Sequence, residues 1–356
     1  MSQIKLKLKS KNPIKLRPRK PKFRKPIKQE TIANVRLKHV DLFAGTGAFT
    51  LACQNNGCNT IFANDLCKNA KATYDLNFGT KHQLNLGDLN EVDVSTIPAH
   101  DILTGGFPCQ PFSVAGKRKG FEDQRSNVFF KIMEIVDKHR PRFILLENVK
   151  NLKTHDKGNT FKRITHEITS RGYAMTHAVL NTSKYTGIPQ NRERIFMLAT
   201  RIKVNQKDLD NVLDLKPIEK NTLQSFFETS VPKKYYYGPR FKSWEMINKG
   251  VVKKNTAYQF RRVYVRENKN GNCPTLTANM GTGGHNVPLI RDDFGVRKLT
   301  PRECFNLQGF PADYKLPKLA NSHLYKLAGN AVTYKLVNQI IQRLVNLCNH
   351  ADPTRS

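Results

Sequence analysis

The chain has 356 residues, with 60 Lys or Arg against 28 Asp or Glu and a formal net charge of +32. A composition of 38% hydrophobic and 25% charged residues excludes a disordered polyelectrolyte and leaves room for two domains. The positive excess calls for a polyanionic partner, either nucleic acid or an anionic membrane surface; no apolar run approaches the roughly 18 to 20 residues of a helical membrane span.

Seven cysteines, none in a C-x-x-C pair, argue against a disulfide framework and for a reducing, intracellular setting. No secretory signal is expected. Cys53 and Cys58 lack a second ligand pair at suitable spacing, so no metal is expected.

The first 30 residues hold 12 Lys or Arg and one acid, Glu30, punctuated by Pro13, Pro18, Pro21 and Pro26. Prolines at that density oppose a regular helix, and residues 1–36 read as a disordered basic arm: a phosphate clamp, a nuclear address or a solvated tail. From Leu37 strand and helix alternate. A strand over Val40 to Phe43 runs into a turn at Gly45 and Gly47 and a helix through Phe49 and Leu51. A second strand over Thr60 to Ala63 precedes a helix over Ala70 to Leu76. Further strands follow at Asp101 to Leu103, Arg142 to Leu146 and Ile195 to Ala199. Strands separated by helices of this length imply a parallel sheet covered on both faces. The rhythm stops after Arg201. Residues 201–296 are polar, with aromatics at Tyr235, Tyr236 and Tyr237 and glycines at Gly281, Gly283 and Gly284. A helical pattern returns from Thr300 and closes with an amphipathic helix over Tyr334 to Leu347. The expected organisation is an arm (1–36), a catalytic cofactor-binding domain (37–200), an inserted recognition domain (201–296) and a segment completing the catalytic domain (297–356).

Two turns carry the chemistry. Asp41-Leu42-Phe43-Ala44-Gly45-Thr46-Gly47 leads a strand through glycines into a helix, which lets backbone approach a ligand and presents a helix N-terminus to an anionic group. Asp65 stands 20 residues after Gly45, a spacing that suits a carboxylate on ribose hydroxyls. The turn fits NAD or S-adenosylmethionine. Gly105-Gly106-Phe107-Pro108-Cys109-Gln110-Pro111-Phe112-Ser113 follows another strand and so places Cys109 at the carboxyl end of the sheet, as a candidate nucleophile.

The Gly105 to Ser113 segment resembles the catalytic loop of the cytosine-5 DNA methyltransferases, and five more family blocks follow in order. They are Phe43-Ala44-Gly45-Thr46-Gly47, Glu147-Asn148-Val149, Gln190-Asn191-Arg192-Glu193-Arg194, Arg297-Lys298-Leu299-Thr300-Pro301-Arg302-Glu303 and Gly329-Asn330-Ala331-Val332. The resemblance implies an α/β fold: a Rossmann-like S-adenosylmethionine-dependent methyltransferase domain with a smaller inserted target-recognition domain. It implies Cys109 as the thiolate that adds to carbon 6 of cytosine, Glu147 at N3 and the exocyclic amine, and Arg194 at O2 with Arg192 in support. S-adenosylmethionine is the implied methyl donor, with no metal. Phe43 would stack on its adenine, Asp65 would take the ribose and Asp88 the adenine amine. Gly45, Gly47 and Pro108 would line the pocket, and Asn330 would brace it. The sequence departs from the family at Asp65, where glutamate is common, and at Leu66, where a large aromatic is frequent.

The same resemblance implies duplex DNA as substrate, with the target base flipped out of the stack. Gln110, Ser113, Lys117 and Arg125 would contact DNA from the catalytic loop and its basic continuation. In the insertion, Gln259, Arg261, Arg262, Tyr264 and Arg266 suit base-edge or phosphate contact, and Thr275-Leu276 matches a pair near the flipped base. The expected role is a modification enzyme of bacterial or viral type. It would act as a monomer, without a membrane, associated with DNA in a bacterial cytoplasm or a nucleus. A cognate restriction nuclease would share its site without a stable complex. A tRNA-modifying enzyme, a non-catalytic DNA-binding scaffold and an NAD-dependent dehydrogenase are the alternatives.

Overall fold

Along Phe143 to Leu146, alternate side chains enter two different apolar clusters: Phe143 and Leu145 one, Ile144 and Leu146 the other. A strand buried on both faces has no polar side, and this explains why the run reads as continuously apolar. The computed structural model describes residues 37–108, 128–282 and 286–351. The arm 1–36 and Cys109, Gln110, Ser113, Lys117, Arg125, Gly283 and Gly284 lie outside the described residues.

The main sheet is built from β1 (Lys38–Leu42), β2 (Asn59–Asp65), β3 (Asn85–Leu86), β4 (Ile102–Gly105), β5 (Phe143–Val149), β6 (Ala174–Asn181) and β7 (Glu193–Thr200), in the order β3-β2-β1-β4-β5-β7-β6. Helices α1 (Ala48–Asn55) and α2 (Lys68–Phe78) follow the first two strands. On the opposite face lie α3 (Val128–His139) and α4 (Asn159–Thr169), whose Ile132, Met133, Ile164 and Ile168 join the second cluster. A short α5 (Thr182–Tyr185) leaves β6, and α6 (Gln206–Leu213) follows β7, packing Leu209, Val212 and Leu213 into the first cluster.

The sheet is parallel from β3 to β5, but β7 runs antiparallel to both β5 and β6. This departs from the parallel sheet that the sequence implies, because the exposed and half-buried residues of β6 show no apolar run, and the hairpin from β6 into β7 reverses the direction of β7.

A second sheet, with order β11-β10-β8-β9, is antiparallel and comprises β8 (Tyr258–Phe260), β9 (Val265–Glu267), β10 (Leu289–Arg291) and β11 (Val296–Lys298). Its own cluster gathers Tyr258, Phe260, Leu289 and Val296 against Ile247 and Val251, which come from or follow α7 (Trp244–Gly250). The chain returns to the main core through α8 (Pro301–Leu307), α9 (Asn321–Asn330) and α10 (Tyr334–Ala351). Thr300 opens α8 with a full capping box: it accepts from Glu303 N at 3.1 Å, and Glu303 accepts from Thr300 N at 2.8 Å. No helix of the described residues is long and apolar enough to cross a membrane.

Strand order reverses between β1 and β4, since β1 leads outward to β2 and β3 while β4 leads to β5. Open α/β sheets bind ligands outside the carboxyl ends of the strands at such a point. Both chemistry-bearing turns leave the sheet there, Phe43–Gly47 after β1 and Gly105–Pro108 after β4.

Candidate active site

The turn after β1 is held in a backbone shape that most side chains avoid. Phe43, Gly45 and Gly47 have φ of 55, 54 and 75°, in the left-handed region where glycine is free and a bulky residue is strained. At Gly47 a side chain is excluded on a second ground, because an added Cβ would lie 2.3 Å from the Phe78 ring. The carboxylate of Asp65 fixes the turn from the end of β2. Its Oδ2 accepts from Gly45 N and its Oδ1 from Cys67 N, each at 2.8 Å. Burial raises the Asp65 pKa, and these backbone donors oppose the rise. A carboxylate offers about four acceptor sites, so both oxygens can still receive a ligand hydroxyl. A cavity beside the turn is lined by Phe43, Gly45, Asp65, Leu327, Asn330 and Val332, among others. An aromatic face, a free carboxylate edge and the N-terminus of α1 are what a nucleoside with an amino-acid tail needs, so these residues fit S-adenosylmethionine. Asp88 and Pro108 do not line this cavity. Asp88 caps a short helix by accepting from Asn90 N at 2.9 Å, and Pro108 is exposed.

A chain of buried polar groups underlies the turn. Asp41 accepts from Thr50 N at 3.1 Å, Thr50 Oγ1 at 2.8 Å and Thr104 Oγ1 at 2.9 Å. The single Thr104 hydroxyl proton is committed to Asp41, so His39 Nε2, 2.8 Å from Thr104 Oγ1, must be the donor in that contact. His39 Nδ1 then accepts from Thr60 Oγ1 at 2.8 Å. Burial drives the His39 pKa down to about 3 and pushes Asp41 up to about 7, where its three donors restrain the rise. His39 is therefore neutral in the fold, and Asp41 pins the start of α1 to β1 and β4.

Glu147 lies at the end of β5, buried at 7% exposure. Arg194, on the adjacent β7, brings its Nε to 3.2 Å from Glu147 Oε1. The contact is an ion pair by distance without hydrogen-bond alignment, so that oxygen keeps an unfilled acceptor site. Burial raises the Glu147 pKa, while Arg194 and then Arg192 lower it. The turn after β4 crosses directly above: a Cβ on Gly106 would sit 3.5 Å from Glu147 Oε2 and 3.7 Å from Val332 Cγ2. Asn148 fastens this turn by donating from Nδ2 to Phe107 O at 2.9 Å, two residues before Cys109. Asn148 lies within the Glu147-Asn148-Val149 block, where sequence alone assigns it no role.

Arg192 is at 2% exposure and faces backbone rather than an open site. Nη1 donates to Leu276 O at 2.8 Å, and Nη2 donates to Ala331 O at 2.8 Å and Gly329 O at 3.3 Å. Burial and the nearby Arg194 lower its proton affinity and Glu147 opposes them, but a guanidinium remains cationic in proteins. It ties β7, the Thr275-Leu276 pair and the Gly329–Val332 block into one knot. Leu276, expected beside DNA, is fully buried in the main core, so its side chain faces protein. Thr275 is half-buried and donates from Oγ1 to Asn191 O. Gln190 braces the same knot: Nε2 donates to Leu307 O at 2.7 Å, and Oε1 accepts from Leu276 N at 3.2 Å.

Arg297 of the late block is likewise structural. It grips Glu303 through two 2.8 Å contacts and Asp292 through Nε at 2.7 Å.

Beyond the knot opens a polar cleft of about 880 Å³, lined by Gln259, Arg261, Arg266, Asn270, Thr275 and Asn279 among others. Three of the expected DNA-contacting residues, Gln259, Arg261 and Thr275, thus share one concave surface, joined by Arg266. Arg262 is exposed but not part of its lining. Among the described residues no group of three or more His, Cys, Asp or Glu is arranged to hold a metal ion.

Comparison with known proteins bears on this geometry as a whole. Residues 37–346 match the family model described as C-5 cytosine-specific DNA methylase. Type II methyltransferase M.Bsp6I of Bacillus sp. (strain RFL6) is 44% identical over 319 residues, covering 86% of this chain and 98% of that protein. Type II methyltransferase M.HaeII of Haemophilus aegyptius is 38% identical, covering 88% of this chain and 94% of that one. Among solved structures, S. pombe Dnmt2 methyltransferase superposes with a TM-score of 0.70 at 21% identity, over 88% of this chain and 100% of that one, a likeness of fold. A glycine turn beside Asp65, a buried acid against Arg194 and a match along most of the chain lead to one conclusion: the protein belongs to the C-5 cytosine-specific DNA methylases, a family of S-adenosylmethionine-dependent enzymes.

Proposed function

We propose that this enzyme methylates carbon 5 of a flipped cytosine within one short duplex sequence, through a covalent bond between Cys109 and carbon 6. The modification half of a Type II restriction-modification system is the role it fills, as the names of its relatives suggest. It acts as a monomer, and a nuclease of the same specificity would recognise the site separately.

The observation that carries this reading is the buried Glu147 carboxyl beside Arg194, under a loop that Asn148 ties down two residues before Cys109. Carbon 5 of cytosine is a weak nucleophile. Addition of the Cys109 thiolate to carbon 6 pushes an electron pair into the ring toward N3 and O2. Glu147, held protonated to higher pH by its burial, supplies the proton at N3, and Arg194 stabilises charge at O2. The carbon 4–carbon 5 enamine so formed is nucleophilic at carbon 5. When bound, S-adenosylmethionine supplies a methyl group on a sulfonium, the electrophile this carbon requires. A solvent base takes the carbon-5 proton, the electron pair re-forms the carbon 5–carbon 6 double bond and expels the Cys109 thiolate, and N3 returns its proton to Glu147. Asp65 and Phe43 hold the cofactor's ribose and adenine, with Asp88 and Asn330 at its edges. Gln259, Arg261 and Thr275 meet base edges or phosphates from the cleft.

The test is transfer of labelled methyl to unmethylated duplex DNA and to tRNA by wild type and Cys109→Ser, with the DNA product mapped by bisulfite sequencing. Methylated cytosines in one sequence context, absent with the variant, are expected. Label on tRNA alone, or none on either, overturns the proposal.

A further inference from the structure

Strand β6 ends the main sheet and is paired on one side only, to β7. Just past the strand, Thr182 N donates to Arg192 O at 2.9 Å. Opposed residues of an antiparallel pair alternate between bonded and non-bonded positions. Counted back along the unbroken register with β7, the main-chain groups of Thr176, Ala178 and Leu180 point to β7. Those of Met175, His177 and Val179 point out of the sheet. Gln206 confirms the phase, donating from Nε2 to Met175 O at 3.3 Å on the outer side. Among the described residues no backbone group meets His177 or Val179 there.

A groove of about 550 Å³ follows this edge, and every residue from 175 to 180 lines it. Alternate side chains of a strand point to opposite faces, so a surface touched by consecutive residues runs along the strand's edge and reaches its backbone. Free edges are usually blunted by Lys, Pro or a bulge. The β6 sequence Ala-Met-Thr-His-Ala-Val-Leu-Asn has no Lys or Pro, and its register with β7 has no shift. On one face Met175 and Val179 pack beside Phe161 at the border of the second apolar cluster. On the other, Asp210 of α6 and Asp214 after it look into the groove. Asp210 accepts from Gln206 Nε2 at 2.9 Å and from the Thr176 hydroxyl, both neutral donors. Among the described residues neither carboxylate is paired with Lys or Arg, although the chain has 60 Lys or Arg against 28 acids.

We propose that the β6 edge docks an extended segment of another protein, one that alternates apolar and cationic side chains and adds to the sheet as a further strand. Its main chain bonds His177 and Val179. Its apolar side chains continue the strip of Met175, Val179 and Phe161, and its cations meet Asp210 and Asp214. A second copy of β6 is the wrong occupant, because the strand carries no Lys or Arg and would leave both carboxylates unmatched. The inference does not rest on the proposed reaction, since the groove shares no lining residue with the cofactor cavity or the polar cleft.

The test titrates a fluorescent peptide, valine and lysine alternating over the length of β6, into the full-length enzyme without DNA. One control alternates valine and glutamate; another has the first peptide's composition with its valines and lysines in separate blocks. Only the alternating cationic peptide should bind, and it should slow hydrogen exchange at the His177 and Val179 amides. Val179→Pro removes an N–H that β7 does not use, which an edge strand tolerates, and should weaken docking about tenfold. Asp210→Asn combined with Asp214→Asn should weaken it about fivefold. Unfolding curves verify that both proteins are folded, and the exposed acid pair carries the test if the proline variant is not. Equal affinity for the alternating and block peptides means charge attraction alone and overturns the proposal. So does wild-type affinity in the acid-pair variant, or exchange that slows elsewhere but not at His177 and Val179. Self-association that Val179→Pro abolishes would put a second copy on this edge and overturn it as well.

Discussion

Gly329 and Thr277 meet backbone to backbone: a Cβ added to Gly329 would fall 2.1 Å from the Thr277 carbonyl carbon and 2.4 Å from Ala278 N. The segment that leads from the polar cleft thereby seats directly on α9, whose residues Leu327 and Asn330 line the cavity beside the Gly45 turn. On an ordinary helix, alanine is favoured over glycine by up to about 1 kcal/mol. Here overpacking against backbone outweighs that gain, and Gly329→Ala should lose about 1–3 kcal/mol of stability. Denaturant unfolding checks this; a variant as stable as wild type would mean the two backbones are not in contact.

Arg192 and Arg194 should separate in their effects although both belong to one short block. Arg192→Lys replaces a planar fork that reaches three carbonyls with a single point charge. It should cost about 3 kcal/mol of stability by leaving buried carbonyls and a buried charge unmatched. Arg194→Lys removes no such clamp, so methyl transfer should fall with little change in unfolding. Comparable stability loss in both variants would contradict the distinction.

Asp41 gives the fold a pH dependence of definite sign. Its carboxyl titrates at about 7 in the fold against 3.8 as the ordinary value, so the native state holds a proton that the unfolded chain releases. The stability this contributes is full below about 3.8 and is lost as pH rises through about 7. Asp41→Asn lacks this titration. Its melting temperature relative to wild type should therefore be lowest at the acid end, below about pH 4, and rise steadily as pH passes through about 7. A difference that grows with pH would contradict the burial argument.

Glu147 should reveal its environment in the pH profile of methyl transfer. Burial raises its pKa and Arg194 is the principal group pulling it back. If the protonated acid is the active form, kcat/KM declines as pH rises through that pKa. Arg194→Gln withdraws the cation, so the declining limb should move to higher pH even as the rate falls. A limb displaced to lower pH would show that the two groups do not interact as their 3.2 Å separation requires.

Much of this was legible in the sequence because it is local. The strand through Phe143 to Leu146 announces itself by burial on both faces, and the turn at Gly45 and Gly47 by glycines with left-handed φ. The final helix begins at Tyr334, as its periodicity indicated. What escaped depends on distant partners. Nothing in Ala174 to Asn181 marks an edge strand, so the reversal of β7 that follows it is hidden. Leu276 resembles a DNA contact in sequence, but a clamp from Arg192, 84 residues away, turns its backbone inward. Arg192 itself reads as chemistry because it neighbours Arg194, whereas its carbonyl partners are known only once the chain has folded.

The central claim is that Cys109 bonds to the cytosine ring. The direct measurement offers wild type and Cys109→Ser a duplex whose target cytosine carries fluorine at carbon 5, with S-adenosylmethionine present. Without a carbon-5 proton to lose, the enzyme cannot be released, and a protein–DNA adduct mapping to Cys109 by mass spectrometry is predicted, absent from the variant. An adduct at another residue, or wild-type methylation of ordinary DNA by Cys109→Ser, would contradict the account.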